Sequence, residues 1–328
     1  MIILYSYRDL QAENYFLRQE EKSNIRRIGK ASALGVIGYV IIQNLMSVVL
    51  LLTPLGAMYY QNAAVQSVVT IFLSVFSMLI PFGICGFYLE KKTKTDVFRF
   101  DKPVSIPLMI TASLFGLFVC LAGNYVTSVF VTFMGDSGVE LTAPELSLPT
   151  DFAGRTIYAV SIAFVPALVE EFAIRGAVMQ PLRKYGDWFA ITASAIVFAV
   201  LHGNLIQAPF ALIAGIGIGY AVCITESLWT GVIIHFCNNF YAVITEFMIE
   251  DIADEKTLNT VYTAVMIALY AVTILGSVAF VILKNKRKIV KPMTALTGRQ
   301  KMRAFMLSVP MAIALIIMIY VTSQYVNT

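Results

Sequence analysis

Two adjacent glutamates and an arginine interrupt an apolar run, Val169-Glu170-Glu171-Phe172-Ala173-Ile174-Arg175. An ionisable group inside a membrane-length apolar segment costs several kcal/mol unless it is paired or hydrated, so such groups mark function by default. Glu171 and Arg175 stand one helical turn apart on one face, and an ion pair between them lowers that cost. Glu170 is rotated about 100° away and finds no partner on its own helix. It needs a proton, a metal, a water or a histidine from elsewhere. The chain has only two histidines, and both fall in apolar runs. Phe198 and His202 share a helical face, four residues apart, and so do His235 and Asn239. Two carboxylates, two imidazoles, a guanidinium and an amide on three helices could converge into one polar cluster able to hold and activate a water. Taken singly, a histidine or asparagine could equally be a hydrogen bond between helices. The Glu-Arg pair could be a structural staple, and the whole set could serve a proton relay or transporter.

The elements that carry these groups are membrane helices. Of 328 residues 58% are hydrophobic and only 13% charged, about half the charge usual in a soluble domain. Mean hydropathy is +0.76. These values exclude a disordered chain, a fibrous repeat and an ordinary soluble enzyme. The apolar stretches are continuous rather than alternating, which excludes a β-barrel. The expected fold is all-α, a polytopic transmembrane helical bundle of about nine spans, with eight as the alternative, and a cytoplasmic N-terminus. The spans read as Ala31–Thr53, Ala63–Leu89, Val104–Met134, Phe152–Leu182, Trp188–Leu205, Ala208–Thr225, Leu228–Met248, Val261–Leu283 and Phe305–Tyr325. Pro166 offers a kink in the long fourth span. With these boundaries all but three of the 24 Lys and Arg fall in the segments 1–30, 90–103, 183–187 and 284–304; the exceptions are Arg155, Arg175 and Lys256. The 135–151 loop has no basic residue and carries Asp136, Glu140, Glu145 and Asp151. Basic loops face the cytoplasm, so the N-terminus is expected inside and the C-terminus outside.

The chain then divides into a cytoplasmic arm at 1–30, N-terminal spans at 31–151, a catalytic core at 152–250, and C-terminal spans with a basic cytoplasmic loop at 251–328. The arm does not read as a cleavable signal but as a cytoplasmic segment that could carry a surface helix using Tyr15, Phe16 and Leu17. Cys85, Cys120, Cys223 and Cys237 lie in apolar stretches without metal or redox spacing and read as small buried hydrophobes. Gly215, Gly217 and Gly219 read as a close helix-packing face. Glu226 and Glu246 lie near span ends, and Glu246, three turns beyond His235, could line a vestibule.

The order Glu-Glu-x-x-x-Arg, Phe-x-x-x-His and His-x-x-x-Asn on separate spans resembles the CAAX protease and bacteriocin-processing family of intramembrane proteases. The resemblance covers about Phe152–Thr245 and places the motifs on spans 4, 5 and 7. It implies an intramembrane endopeptidase that hydrolyses a peptide bond in a membrane-associated peptide or protein. It also implies the roles: Glu170 as the base, His202 holding the water, His235 and Asn239 as the oxyanion hole, Glu171 and Arg175 as the supporting pair. On cofactors, a metal-free glutamate mechanism is slightly favoured. Zn2+ held by Glu170, His202 and His235 is the alternative, although the HExxH signature is absent. A non-catalytic immunity or peptide-binding protein, and less so a transporter, are the other readings. The expected partners are the bilayer and a membrane-associated substrate, with no nucleic acid; oligomeric state is not legible. Short loops lean towards a bacterial plasma membrane. Because Glu170 lies some twelve residues before Arg183-Lys184, substrate is expected to enter from the cytoplasm or the inner leaflet.

Overall fold

The computed structural model describes residues 7–144, 146–285 and 287–327, with side chains from Ala12 onward. Glu145 of the acidic loop therefore lies outside the described residues, as does the side chain of Arg8. Eleven helices make up the chain: α1 (Tyr7–Leu51), α2 (Pro54–Gln61), α3 (Ala63–Thr93), α4 (Ile106–Asp136), α5 (Phe152–Arg183), α6 (Asp187–Leu201), α7 (Ala208–Thr225), α8 (Leu228–Asp251), α9 (Glu255–Leu283), α10 (Gly298–Met306) and α11 (Val309–Ser323). Two-residue strands β1 (Glu140–Leu141) and β2 (Val326–Asn327) pair antiparallel. Helix starts follow from single polar residues placed before apolar runs. Asn62 caps α3 by accepting from the Ala64 and Val65 amides, and Asp151 caps α5 by accepting from Gly154. Ser105, Asp254 and Ser308 cap α4, α9 and α11 in the same way, each cap contributing about 1 kcal/mol.

Seven of these helices are long and apolar enough to cross a membrane, and they coincide with expected spans 1–4 and 6–8. Their outward faces carry bare Leu, Ile, Val and Phe, among them Leu45, Phe87, Ile267 and Leu275, a surface that lipid covers and water would not. The protein is an all-α integral membrane bundle. The two remaining spans differ from expectation. The fifth is α6, only 15 residues, or about 22 Å against a hydrocarbon core of about 30 Å. It stops at Leu201 because Gly203 adopts φ +62°, a conformation L-residues avoid. Asn204 then ties the turn, accepting from the Gln207 amide and donating to the His202 carbonyl. The ninth is α10 and α11, which meet at a 75° bend. There Ser308 starts a new helix and Pro310 cannot continue the old one. The arm is continuous with the first span in α1 rather than a separate piece.

Charge separates along the bundle axis as hydrogen bonds join the loops. At one end Arg18 donates to the Ala295 carbonyl and Glu21 accepts from the Ala295 amide, so the arm meets the basic 284–304 segment. Ser227 bonds the Asp101 carbonyl, and Arg183 forks onto Glu226 at 2.8 and 2.9 Å. At the other end the acidic loop pairs with the C-terminus through β1 and β2 and through the Thr142 amide on the Tyr325 carbonyl. Arg155 forks onto Asp251 there. With the basic end inside, a membrane-impermeant maleimide is expected to label a Ser137→Cys variant in intact cells and a Lys288→Cys variant only after permeabilisation; the opposite pattern would invert the orientation.

Candidate functional site

The site is built on α5, which is not a uniform α-helix. It widens to π-helix at Val160–Phe164 and again at Phe172–Met179, and Glu170 and Glu171 lie in the short α-helical piece between. Both wide stretches have one cause. A proline ring collides with the carbonyl four residues earlier, which is Ile162 for Pro166 and Ala177 for Pro181. Each of those carbonyls falls inside a widened stretch, where the backbone opens to accommodate the ring. The kink expected at Pro166 is thus a change of helical register. The proline also has no N–H for the Ile162 carbonyl, and the side chain of Asn239 on α8 donates to it instead, at 3.2 Å.

Glu171 and Arg175 are completely buried, with Arg175 Nε 3.2 Å from Glu171 Oε2. The other oxygen of Glu171 accepts from His235 Nδ1 at 3.1 Å. One carboxylate thus serves both a guanidinium and an imidazole. Because His235 gives its Nδ1 proton to Glu171, its Nε2 turns to Glu170, whose Oε2 lies 3.8 Å away. His202 caps α6 and donates from Nδ1 to the Phe198 carbonyl at 2.8 Å, which leaves Nε2 of the neutral ring as an acceptor. Phe198 packs among the charged groups: the Arg175 guanidinium lies 4.9 Å over its ring, and the His202 and His235 rings meet it edge-on at 4.7 and 5.8 Å.

Glu170 and His202 both line a cavity of about 890 Å3. His235, Asn239, Glu171 and Arg175 do not line it, and His235 approaches it through Glu170. The structure therefore brings Glu170, Glu171, Arg175 and His235 into one contact group, and sets His202 on the same cavity as Glu170. Asn239 is bound a turn further along, to Ile162 and Asn238.

Two features are not legible in the sequence. Asn124 on α4 donates to Asn238, which donates to Asn239, so a chain of amides crosses from α4 through α8 to α5. Asparagines inside apolar spans are the signal that could have found it. Gly231 on α8 is the second feature: a Cβ there would come within 2.6 Å of Glu171 Oε2, so the missing side chain is the space the carboxylate occupies. Glu246, which the sequence offered as a vestibule residue, lines the cavity and accepts from the Tyr158 hydroxyl at 2.7 Å, whereas Glu226 is paired with Arg183.

The direction of access needs correction. The cavity is walled by α1, α3, α5 and α11 and by Pro144, Leu146 and Leu148 of the acidic loop; no residue of 90–103, 183–187 or 284–304 lines it. It therefore extends from Glu170 toward the acidic-loop end, opposite to the expected cytoplasmic entry. The reason is the short α6. Starting from the basic end, it runs out before the far side, and the volume above its terminal turn is left open.

The proposed zinc set was tested on donor geometry. No three His, Cys, Asp or Glu side chains among the described residues are gathered as ligands of one ion. Glu170, His202 and His235 do not form such a set.

The helical membrane bundle thus holds a carboxylate–histidine cluster beside a cavity. Residues 152–241 match the family model described as Type II CAAX prenyl endopeptidase Rce1-like. That segment, well under half of the chain, is similar to the Rce1-like CAAX endopeptidase family, and it contains all six motif residues. No curated protein and no solved structure gives a significant match.

The buried pair yields a stability prediction. Arg175→Ala leaves Glu171 charged and uncompensated, a loss of about 3–5 kcal/mol. Gly231→Ala displaces the same carboxylate without removing a charge. Both variants should unfold at lower temperature in detergent, Arg175→Ala by more. A Gly231→Ala protein as stable and active as the parent would show that Glu171 has room to move.

Proposed function

We propose that the site hydrolyses a peptide bond in a membrane-associated peptide or protein, with Glu170 as the general base. The observation that carries this reading is the division of labour between neighbouring glutamates. Glu171 is sealed between Arg175, with which it forms an ion pair, and His235, which bonds it, while Glu170 faces a cavity beside His202.

In this reading a water binds between the Glu170 carboxylate and the bare Nε2 of His202. Glu170 takes its proton as the oxygen attacks the scissile carbonyl. Charge on the resulting oxyanion falls to hydrogen-bond donors. Asn239 has one amide hydrogen beyond the one given to Ile162, and His235 donates from Nε2 when it carries both protons. Glu171 supports that doubly protonated ring by accepting at Nδ1. The proton held by Glu170 then passes to the leaving amine, and the C–N bond breaks to give an acid and an amine. Arg175 acts at one remove, fixing Glu171. Substrate reaches the site from the acidic-loop end, along the cavity.

Glu170→Gln preserves size and removes the base, so cleavage by purified, reconstituted protein should fall to background while folding and substrate binding persist. His202→Ala should do the same. Asn239→Ala should cost about 2.7–4 kcal/mol of transition-state stabilisation, seen as turnover slowed by about two to three orders of magnitude. Activity should survive a chelator; loss restored by Zn2+ would overturn the metal-free form of the mechanism. Normal processing by Glu170→Gln would remove Glu170 as the base and return the assignment to a binding or immunity protein.

A further inference from the structure

The cavity carries a second carboxylate far from the reacting groups. Glu246 lies eleven residues beyond His235 on α8, or about 16 Å along the axis. Tyr158, itself buried, donates to Glu246 Oε2 and fixes the carboxylate, while Oε1 has no hydrogen-bond partner and no Lys or Arg forms an ion pair with Glu246 among the described residues. The nearby arginine of α5, Arg155, is already committed to Asp251 at 2.6 Å through both nitrogens. The wall of the cavity holds Glu170 and Glu246, neutral polar groups such as Gln43, Asn44, Ser74 and Gln207, and no Lys or Arg at all. The approach has the same sign. Asp136, Glu140, Asp151, Glu250, Asp254 and Glu255 are exposed at this end, against Lys256 and the paired Arg155.

An acidic side chain is disfavoured on this predominantly acidic route, while a cationic one is drawn in and finds one carboxylate already oriented and lacking a counter-ion. We infer that Glu246 is a specificity determinant that receives a Lys or Arg side chain of the substrate, and that the substrate is a cationic, otherwise apolar peptide entering from the acidic-loop end. This rests on the hydrolase reading for what happens at Glu170, but the binding step stands without it. Extended chain advances at most about 3.3–3.6 Å per residue, so the basic residue lies about four to six residues from the bond that is cut.

The test uses the full chain carrying Glu170→Gln, in nanodiscs, and three fluorescent Leu/Ala/Ser peptides that differ at one position: Lys, Gln or Glu. Anisotropy should show the Lys peptide bound about tenfold or more tightly than the Gln peptide, as for a hydrogen bond between charged groups, and the Glu peptide weakest. Adding Glu246→Gln, which keeps an acceptor for Tyr158, should erase the Lys preference; Glu246→Lys should reverse it toward Glu. Equal binding of the three peptides, or a Lys preference that survives both substitutions, would overturn the proposal. With Glu170 restored, moving the Lys along the peptide should give a KM minimum at four to six residues from the cut, with kcat little changed. Selective binding without cleavage would defeat the hydrolase reading and spare this one, whereas cleavage indifferent to Lys would do the reverse.

Discussion

The arrangement depends on a single buried carboxylate. Glu171 has no exposure, and it is held by a guanidinium that is equally inaccessible and by one imidazole nitrogen. A charge in such surroundings is tolerated only when its partners are fixed, and the neighbouring structure reads as the means of fixing them. Gly231 withholds a side chain where Glu171 Oε2 lies. Phe198 lends its ring face to Arg175, a favourable place for a cation with few other partners. His235 is oriented by its bond to Glu171, so its second nitrogen can only point at Glu170. The helical rotation between adjacent residues assigns the two glutamates to different surroundings, one sealed among charges and one at the edge of a cavity.

The geometry around that carboxylate follows from helices that fail to be regular. Two prolines widen α5 on either side of the Glu170-Glu171 pair, and the first of them frees a carbonyl that Asn239 then takes. An amide contributed by another helix is how a proline break is tolerated in a membrane, where no water can take its place. The asparagine chain from α4 therefore has a mechanical purpose whatever else Asn239 does: it ties α8 to α5 about two turns ahead of Glu170. Helix α6 makes the complementary departure. By stopping short it delivers His202 at a helix end rather than along a helix side, and it leaves the space in which a substrate could lie.

Much of this was legible from residue types. The long spans showed as apolar runs and the Glu171–Arg175 contact as a four-residue spacing. What was not legible had physical reasons. The end of α6 depends on Gly203 taking a left-handed conformation, and in an apolar sequence one glycine does not distinguish that from close packing. The bend before α11 lies inside a run that composition reads as one span. The partnership of Glu171 with His235 joins residues 64 positions apart, and spacing within one helix says nothing about which neighbour it meets. The direction of the cavity was misjudged because the position of Glu170 along α5 was taken as a guide to access, whereas access is set by which neighbouring helix is too short.

The two ends of the bundle are accordingly unlike in more than charge. On the basic side, Arg183 bridges Asp187 and Glu226, Asp187 accepts from the Val290 amide, and Lys301 reaches the Tyr185 carbonyl. Phe98 stacks flat on Phe172 beside the same stretch of α5, with ring centroids 4.1 Å apart. These contacts close the floor beneath the charged cluster with ion pairs and aromatic packing. On the acidic side the contacts are fewer and lie at the rim, Arg155 with Asp251 and Tyr158 with Glu246, and the space between is polar and open. Under the proposed mechanism Glu170 needs water delivered on one side and its other surfaces kept dry, and a bundle closed at one end and hollow at the other meets both requirements with the same set of helices.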